Sequence, residues 1–232
     1  MTIRRFYSVE PVKDKALILT GDELFHLRKV NRAKSGDEIE VVNGKGSLYT
    51  CKIRKIDKEE AVVVVEREES EPNPVLKTVI APSLTKKKAM TLMIEKLTEI
   101  GVDEIRPVLC TRTDETYSPS HLKKWQRIAV QSLKVNKKLW LSAVFPPVSL
   151  KETISFSQHI KTKWVLDKDG KEIAGRPFAF PAMAVIGPPG GFSEEEKELL
   201  FKNDFLSYKL NDCILKTETA AISIAAILKT ML

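Results

Sequence analysis

The stretch Ala182-Met183-Ala184-Val185-Ile186-Gly187-Pro188-Pro189-Gly190-Gly191-Phe192-Ser193-Glu194-Glu195-Glu196 reads as an apolar strand over Ala182–Ile186, a loop of glycine and proline, and a helix beginning at Ser193. Ser193 and Glu196 have the spacing of a capping box, and Glu194, Glu195 and Glu196 fill the first turn. Downstream, a second short strand ends at Leu210, and another loop enters a final helix from Thr217 to about Met231. Two strand-to-helix loops placed side by side define a ligand crevice at the carboxyl ends of the strands. The three acids suit the helix dipole but repel an anion there, and the loop has neither GxGxxG spacing nor a Walker Lys-Ser/Thr pair. It therefore disfavours a phosphate-bearing cofactor and leaves a phosphate-free adenosyl ligand open. An ordinary tight turn, with proline and glycine setting backbone angles, is the competing reading.

Upstream, strand and helix patterns alternate from Val75. Val75–Ala81 is expected as a strand, Lys86–Ile100 as a helix with Ala89, Met90, Met93, Ile94 and Leu97 at helical spacing, and Gly101 as its stop. Asp103–Cys110 and Lys163–Asp167 follow as strands, with a helix between them from Ser118 or Ser120 to about Val135. Such alternation implies a mostly parallel sheet covered by helices on both faces. Before it, residues 1–70 read as β-rich: Ala16–Thr20, Asp37–Val42, Ser47–Ile56 and Ala61–Glu66 as strands, with one short helix from Glu23 to Val30 capped by Asp22. Strands this short and close suggest a small barrel. The polar, proline-containing run Glu68–Pro74 marks the boundary, giving domains over residues 1–70 and 75–232.

The composition is globular, at 43% hydrophobic and 30% charged, with a formal net charge of +7. That charge permits a polyanionic partner. Three scattered cysteines without CxxC spacing and three histidines outside any HExxH pattern indicate no disulfide framework and no metal site. Without an apolar run of signal or membrane-spanning length, the expectation is a reduced, cytoplasmic protein with no membrane partner. Basic residues concentrate in three places. Arg4, Arg5 and Arg32 lie in the first domain, Lys86 opens a lysine triplet at a helix start, and the segment His121–Trp140 contains no acid. In that segment Lys123, Arg127, Lys134 and, if the helix reaches it, Lys138 share a face opposite Leu122, Trp125, Ala129 and Leu133. A single-sign face forgoes i,i+4 pairs and suits a nucleic-acid backbone, although a solvated face has the same pattern. The last helix carries no charge between Glu218 and Lys229. It calls for cover on nearly all sides, either within one chain or at a subunit interface.

Taken together, Ile186–Ser193 with Glu195 and Glu196, Leu210, and Ile214-Leu215-Lys216-Thr217-Glu218-Thr219-Ala220 resemble the RsmE-type small-subunit ribosomal RNA uridine-N3 methyltransferases of the SPOUT superfamily. Arg4–Tyr7, His26, Val30, Arg32, Lys96, Glu99, Gly101, Val102, Arg112 and the segment from Trp125 to Gln131-Ser132 extend the resemblance along the chain. It implies a PUA-like barrel for RNA, a trefoil-knotted α/β domain, S-adenosylmethionine as methyl donor, and a homodimer acting on ribosomal RNA or the small ribosomal subunit. Gly187, Pro188, Gly190 and Gly191 then form one cofactor loop, and Leu210, Ile214, Leu215 and Thr217 the second, with Leu166 beside them. Lys216 becomes the candidate cation that stabilises a deprotonated uridine N3. Glu218 becomes a base or loop organiser, unless it only caps the last helix. Pro189, Asn211, Cys213, Lys216 and Lys134 depart from the Glu, Gly, Arg, Arg and Arg of the family pattern. Lysine keeps the charge of arginine but loses its two-pronged grip. Two alternatives stay open: another RNA position, such as one in transfer RNA, or a ribosome assembly factor without catalysis.

Overall fold

The computed structural model describes residues 4–75, 77–113 and 115–230, and forms two compact units. Leu76, inside the strand expected over Val75–Ala81, and Met231, the expected end of the last helix, lie outside the described residues. The first unit contains residues up to Asn73 together with Leu133–Leu141. Among its described residues, β1 (Arg4–Tyr7), β2 (Ala16–Leu19), β3 (Glu38–Val42), β4 (Ser47–Ile56) and β5 (Ala61–Ser70) pair in the order β1-β3-β4-β5-β2. The β1–β3 pair is parallel and the others are antiparallel. Strand β1 was not expected, because its run Arg-Arg-Phe-Tyr has one fully buried residue, Phe6, and no clear alternation of polarity. Strand β5 runs to Ser70, so residues 68–70 are strand where a linker was expected.

Alternation along these strands determines the packing. Phe6, Leu17, Leu19, Ile39, Val41, Ile53 and Val63 share one core with Leu24 and Leu27. Val42 and Leu48 point the other way, into a cluster with Leu133 and Leu139. That contact ties Leu133–Leu141 to the first unit, a placement that sequence position alone did not suggest. Leu139 O accepts from Gly46 N, and Gly44 O from Leu141 N. The short helix α1 (Gly21–Phe25) continues as a π-helix over His26–Val30. Asp22 lies inside its first turn, with Thr20 at the cap position, so the expected cap at Asp22 is two residues too late.

The second unit is built on a sheet of order β13-β11-β12-β6-β7-β9, parallel throughout. Its strands are β6 (Thr78–Pro82), β7 (Glu104–Ile105), β9 (Ala143–Val144), β11 (Thr162–Glu172), β12 (Ala182–Ile186) and β13 (Leu206–Lys209). Every residue of β6 and β12 is buried, as expected of central strands covered on both faces. The expected single strand Asp103–Cys110 is split by Pro107, which has no N–H to donate. Its second half, β8 (Val108–Leu109), pairs instead with β10 (Val148–Ser149). The helices are α2 (Lys87–Ile100), α3 (Pro119–Asn136), α4 (Leu150–Phe156), α5 (Glu194–Phe201) and α6 (Thr217–Thr230). Helix α2 stops at Gly101 in the left-handed conformation. Helix α4 was missed, although Ser149 and Glu152 form a complete capping box ahead of it.

Helix α6 packs on α2, β6 and β12 through Ala220, Ala221, Ile224, Ala225 and Leu228. Ile222, Ser223, Ala226 and Ile227, on its other side, are half-buried. Among the described residues no helix is long and apolar enough to cross a membrane.

Candidate active site

The site begins where β12 ends. Gly187 opens the loop against Phe192, whose ring would stand 3.0 Å from a Cβ added at Gly187. Gly191 has φ +71 and its N–H closes a turn on Pro188 O at 2.8 Å, a left-handed conformation that glycine adopts without strain. Ser193 then caps α5 as its spacing predicts: its Oγ accepts from Glu196 N at 3.2 Å, while Ser193 N donates to Glu196 Oε2 at 2.8 Å. The buried Glu196 has a second partner, because its Oε1 accepts from Thr111 N at 2.7 Å. Arg112, next in the chain, donates from its guanidinium to Gly190 O at 2.6 Å. One capping carboxylate and one arginine thus hold the loop after β8 against the glycine loop.

The second loop leaves β13 at Lys209. Asn211 Oδ1 accepts from Cys213 N at 2.9 Å, making a side-chain turn where the family pattern has glycine. The chain re-enters helix at Thr217, whose buried hydroxyl donates to Gly187 O at 2.9 Å and joins the two loops. Between them lies a cavity of about 540 Å³. Gly187, Pro188, Gly190 and Gly191 line it from the first loop; Leu210, Ile214, Leu215 and Thr217 line it from the second. Leu166 of β11 completes the set, so all nine expected cofactor positions meet at one cavity.

Apolar side chains and backbone amides dominate this wall, a lining suited to the faces and edge of a flat heterocycle. Its charges are mixed. Lys197 contacts Asp167 at 3.0 Å and Glu194 at 3.6 Å, and its hydrogen bond to Asp167 holds the ammonium above the usual lysine range. Glu195 is held below the usual carboxylate range, chiefly by a hydrogen bond from the Ser193 side chain. The capping box occupies amides of the first turn of α5, as a site without a phosphate group would have it. A phosphate-free adenosyl group therefore fits the donors present. Among the described residues no group of three or more His, Cys, Asp or Glu could hold a metal ion.

The expected chemical residues stand apart from the cavity wall. Lys216 is exposed, with its carbonyl accepting the helical bond from Ala220 N, and Glu218 is half-buried in the first turn of α6. Of the expected RNA contacts, Lys86, Arg112, Lys123 and Arg127 are exposed, and so are Arg4 and Arg32. Arg4 donates to Asn31 O, which places it beside Arg32. Arg5 is largely enclosed: its Nε contacts Glu40 at 2.8 Å, and one terminal nitrogen is buried without a hydrogen-bond partner among the described residues. Lys134 does not belong to an exposed basic face, because its Nζ contacts Glu23 Oε1 at 2.7 Å with both side chains largely buried. Helix α3 ends at Asn136, before Lys138.

Residues 71–229 match the model of the RNA methyltransferase domain, and residues 19–66 match that of the RNA methyltransferase PUA domain. The ribosomal RNA small subunit methyltransferase E of Aquifex aeolicus is 31% identical over 229 residues, covering 96% of this chain and 97% of the relative. The chain belongs to this methyltransferase E family.

The enzyme of the same name from Mesomycoplasma hyopneumoniae is 27% identical, covering 94% of this chain and 95% of the relative. A Legionella pneumophila protein solved with bound SAM superposes with a TM-score of 0.89 at 25% identity, covering 100% of this chain and 98% of that one. The family enzyme of Neisseria gonorrhoeae, solved bound to S-adenosyl methionine, shares the fold with a TM-score of 0.90 at 24% identity, over 99% of this chain and 98% of that one. The activity of an RNA methyltransferase follows from family membership.

Proposed function

We propose that this protein methylates N3 of a uridine in small-subunit ribosomal RNA, with S-adenosylmethionine as the methyl donor. The observation that carries the reading is the cavity itself, where all nine positions implied by the resemblance converge. S-adenosylmethionine, when bound, supplies an electrophilic methyl group on a sulfonium centre. The glycine loop offers close backbone approach, and the Thr217–Gly187 and Arg112–Gly190 hydrogen bonds hold the wall in place before ligand arrives. Uridine N3 carries a proton and becomes a good nucleophile only when that proton leaves, so the site needs a base or a cation that favours the anion.

Lys216 is the cation in this reading. Glu218, in the first turn of α6, organises the second loop through its helix start. Residues 1–70 serve RNA binding through Arg4 and Arg32, and residues 75–232 carry transfer, with Lys86, Arg112, Lys123 and Arg127 on the RNA path. The half-buried apolar side of α6 supports a homodimer. The trefoil knot that the resemblance implies would involve this second loop. A cytoplasmic location follows from a ribosomal substrate.

An N3 methyl group blocks the pairing edge of uracil and therefore stops reverse transcription. Primer extension on small-subunit ribosomal RNA from a strain lacking this gene should lose one such stop and regain it on complementation. A full set of stops in the deletion strain, or a methyl group on a different atom, overturns the assignment. Lys216→Ala with unchanged turnover at saturating cofactor and RNA removes the role given to that lysine.

A further inference from the structure

Beside the cofactor cavity lies a second one of about 400 Å³. Arg112, Pro189 and Gly190 line both, so the two spaces meet across a short piece of the glycine loop. The charged groups on the second wall are Lys86, Arg112 and Glu115. Glu115 is half-buried and, among the described residues, has no ion-pair or hydrogen-bond partner. Two residues before it, Thr113 Oγ1 accepts from Cys110 N at 3.0 Å and lies 3.3 Å from Ser83 Oγ. Arg112 is fixed at its far end by Gly190 O. Pro189, on the shared wall, offers neither a carboxylate nor an N–H.

Two cations and one carboxylate on a small cavity form a specific hydrogen-bonding code. The pairing edge of uracil presents an acceptor, a donor and an acceptor: O4, N3–H and O2. Cationic donors suit the two carbonyl oxygens and a carboxylate suits the N–H between them. Cytosine reverses two of the three positions, so its unprotonated N3 would face the carboxylate. We infer that this second cavity seats the target uracil, with Glu115 facing N3–H and Lys86 and Arg112 facing the carbonyl oxygens. The inference rests on the methyl-transfer function proposed above, names its base, and gives the cationic role to Lys86 and Arg112 in place of Lys216, which lines neither cavity.

In the reaction the N3–H bond breaks and its proton passes to a Glu115 carboxylate oxygen. The N3 electron pair forms the bond to the methyl carbon. The carbon–sulfur bond breaks with its pair returning to sulfur, which leaves S-adenosylhomocysteine, methylated uridine and a protonated Glu115 that releases its proton to water.

The test uses the full-length enzyme, small ribosomal subunits from the deletion strain, and radiolabelled S-adenosylmethionine. Glu115→Gln should bind S-adenosylmethionine within twofold of wild type by calorimetry, unfold at an unchanged temperature, and lose about 100-fold or more in kcat. Its rate should climb more steeply with pH than that of wild type, since solvent must then take the proton, and Glu115→Asp should recover part of the loss. Lys86→Met should raise KM for the subunit. A Glu115→Gln kcat within threefold of wild type, or a pH profile parallel to wild type, overturns the assignment of Glu115. Failure of the wild-type enzyme to bind the donor or to methylate N3 overturns the proposed function as well, and the wild-type arm alone reveals that outcome.

Discussion

Removing one hydroxyl group at Thr217 should weaken the cofactor site without dismantling the fold. Thr217→Val keeps shape and a similar helix propensity but deletes the donor of the 2.9 Å bond to Gly187 O. Thr217 is 3% exposed, so water cannot replace the lost partner on that side. Gly187 is half-buried and recovers some hydration. The net loss is therefore about 1–1.5 kcal/mol, near the middle of the range for an intramolecular hydrogen bond. If the bond serves mainly to hold the two loops at the spacing the ligand needs, that loss corresponds to about a five- to tenfold weaker Kd. Calorimetry with S-adenosylmethionine measures it directly, with Thr217→Ser as the control that retains the hydroxyl. Unfolding temperature should fall by about 2–4 °C per kcal/mol lost. A variant that melts earlier yet binds the cofactor within twofold of wild type would refute the reasoning, because the bond would then stabilise the fold alone.

Three further outcomes follow from other parts of the molecule. Gly170 faces the backbone of Tyr208, where an added Cβ would stand 2.6 Å from the carbonyl carbon; Gly170→Ala should cost about 1–3 kcal/mol through overpacking, and an unchanged thermal unfolding midpoint contradicts this. Glu23 accepts from both Lys134 Nζ and Tyr7 N, so Glu23→Ala should destabilise the protein by about 3 kcal/mol, while the paired replacement Glu23→Leu with Lys134→Met should lose much less in urea unfolding. Burial is the main cause that pushes the Cys51 and Cys110 thiols up to about 12, helped by Glu66 and Glu196 respectively, whereas Cys213 is exposed. A thiol reagent at pH 8 should therefore modify Cys213 in the native protein and reach Cys51 and Cys110 only after unfolding, as mass spectrometry would show.

Much of the site was legible because its geometry is local. The run Ala182–Ile186 could hardly be anything but a central strand, and Ser193 with Glu196 specified the helix start through contacts three residues apart. The cofactor positions came from a resemblance carried by the glycine loop and by Ile214–Ala220, and they meet at one cavity. Composition misled at Lys134, where an exposed basic face was the natural reading. A buried partner, Glu23, 111 residues away, decides otherwise. Strand β8 was misplaced because alternation cannot say which neighbour a strand will pair with.

Sequence by itself determined the parallel α/β domain and the capped loop, since helix caps, strand patterns and turns depend on residues a few positions apart. Only the tertiary structure decided how the loops are held and what stands beside them. Thr217 reaches Gly187 across 30 positions, Arg112 reaches Gly190 across 78, and Thr111 reaches Glu196 across 85. Glu115 meets Lys86 and Pro189 on one cavity wall for the same reason. No periodicity encodes such meetings, because they arise when separate segments pack against the ends of a single sheet.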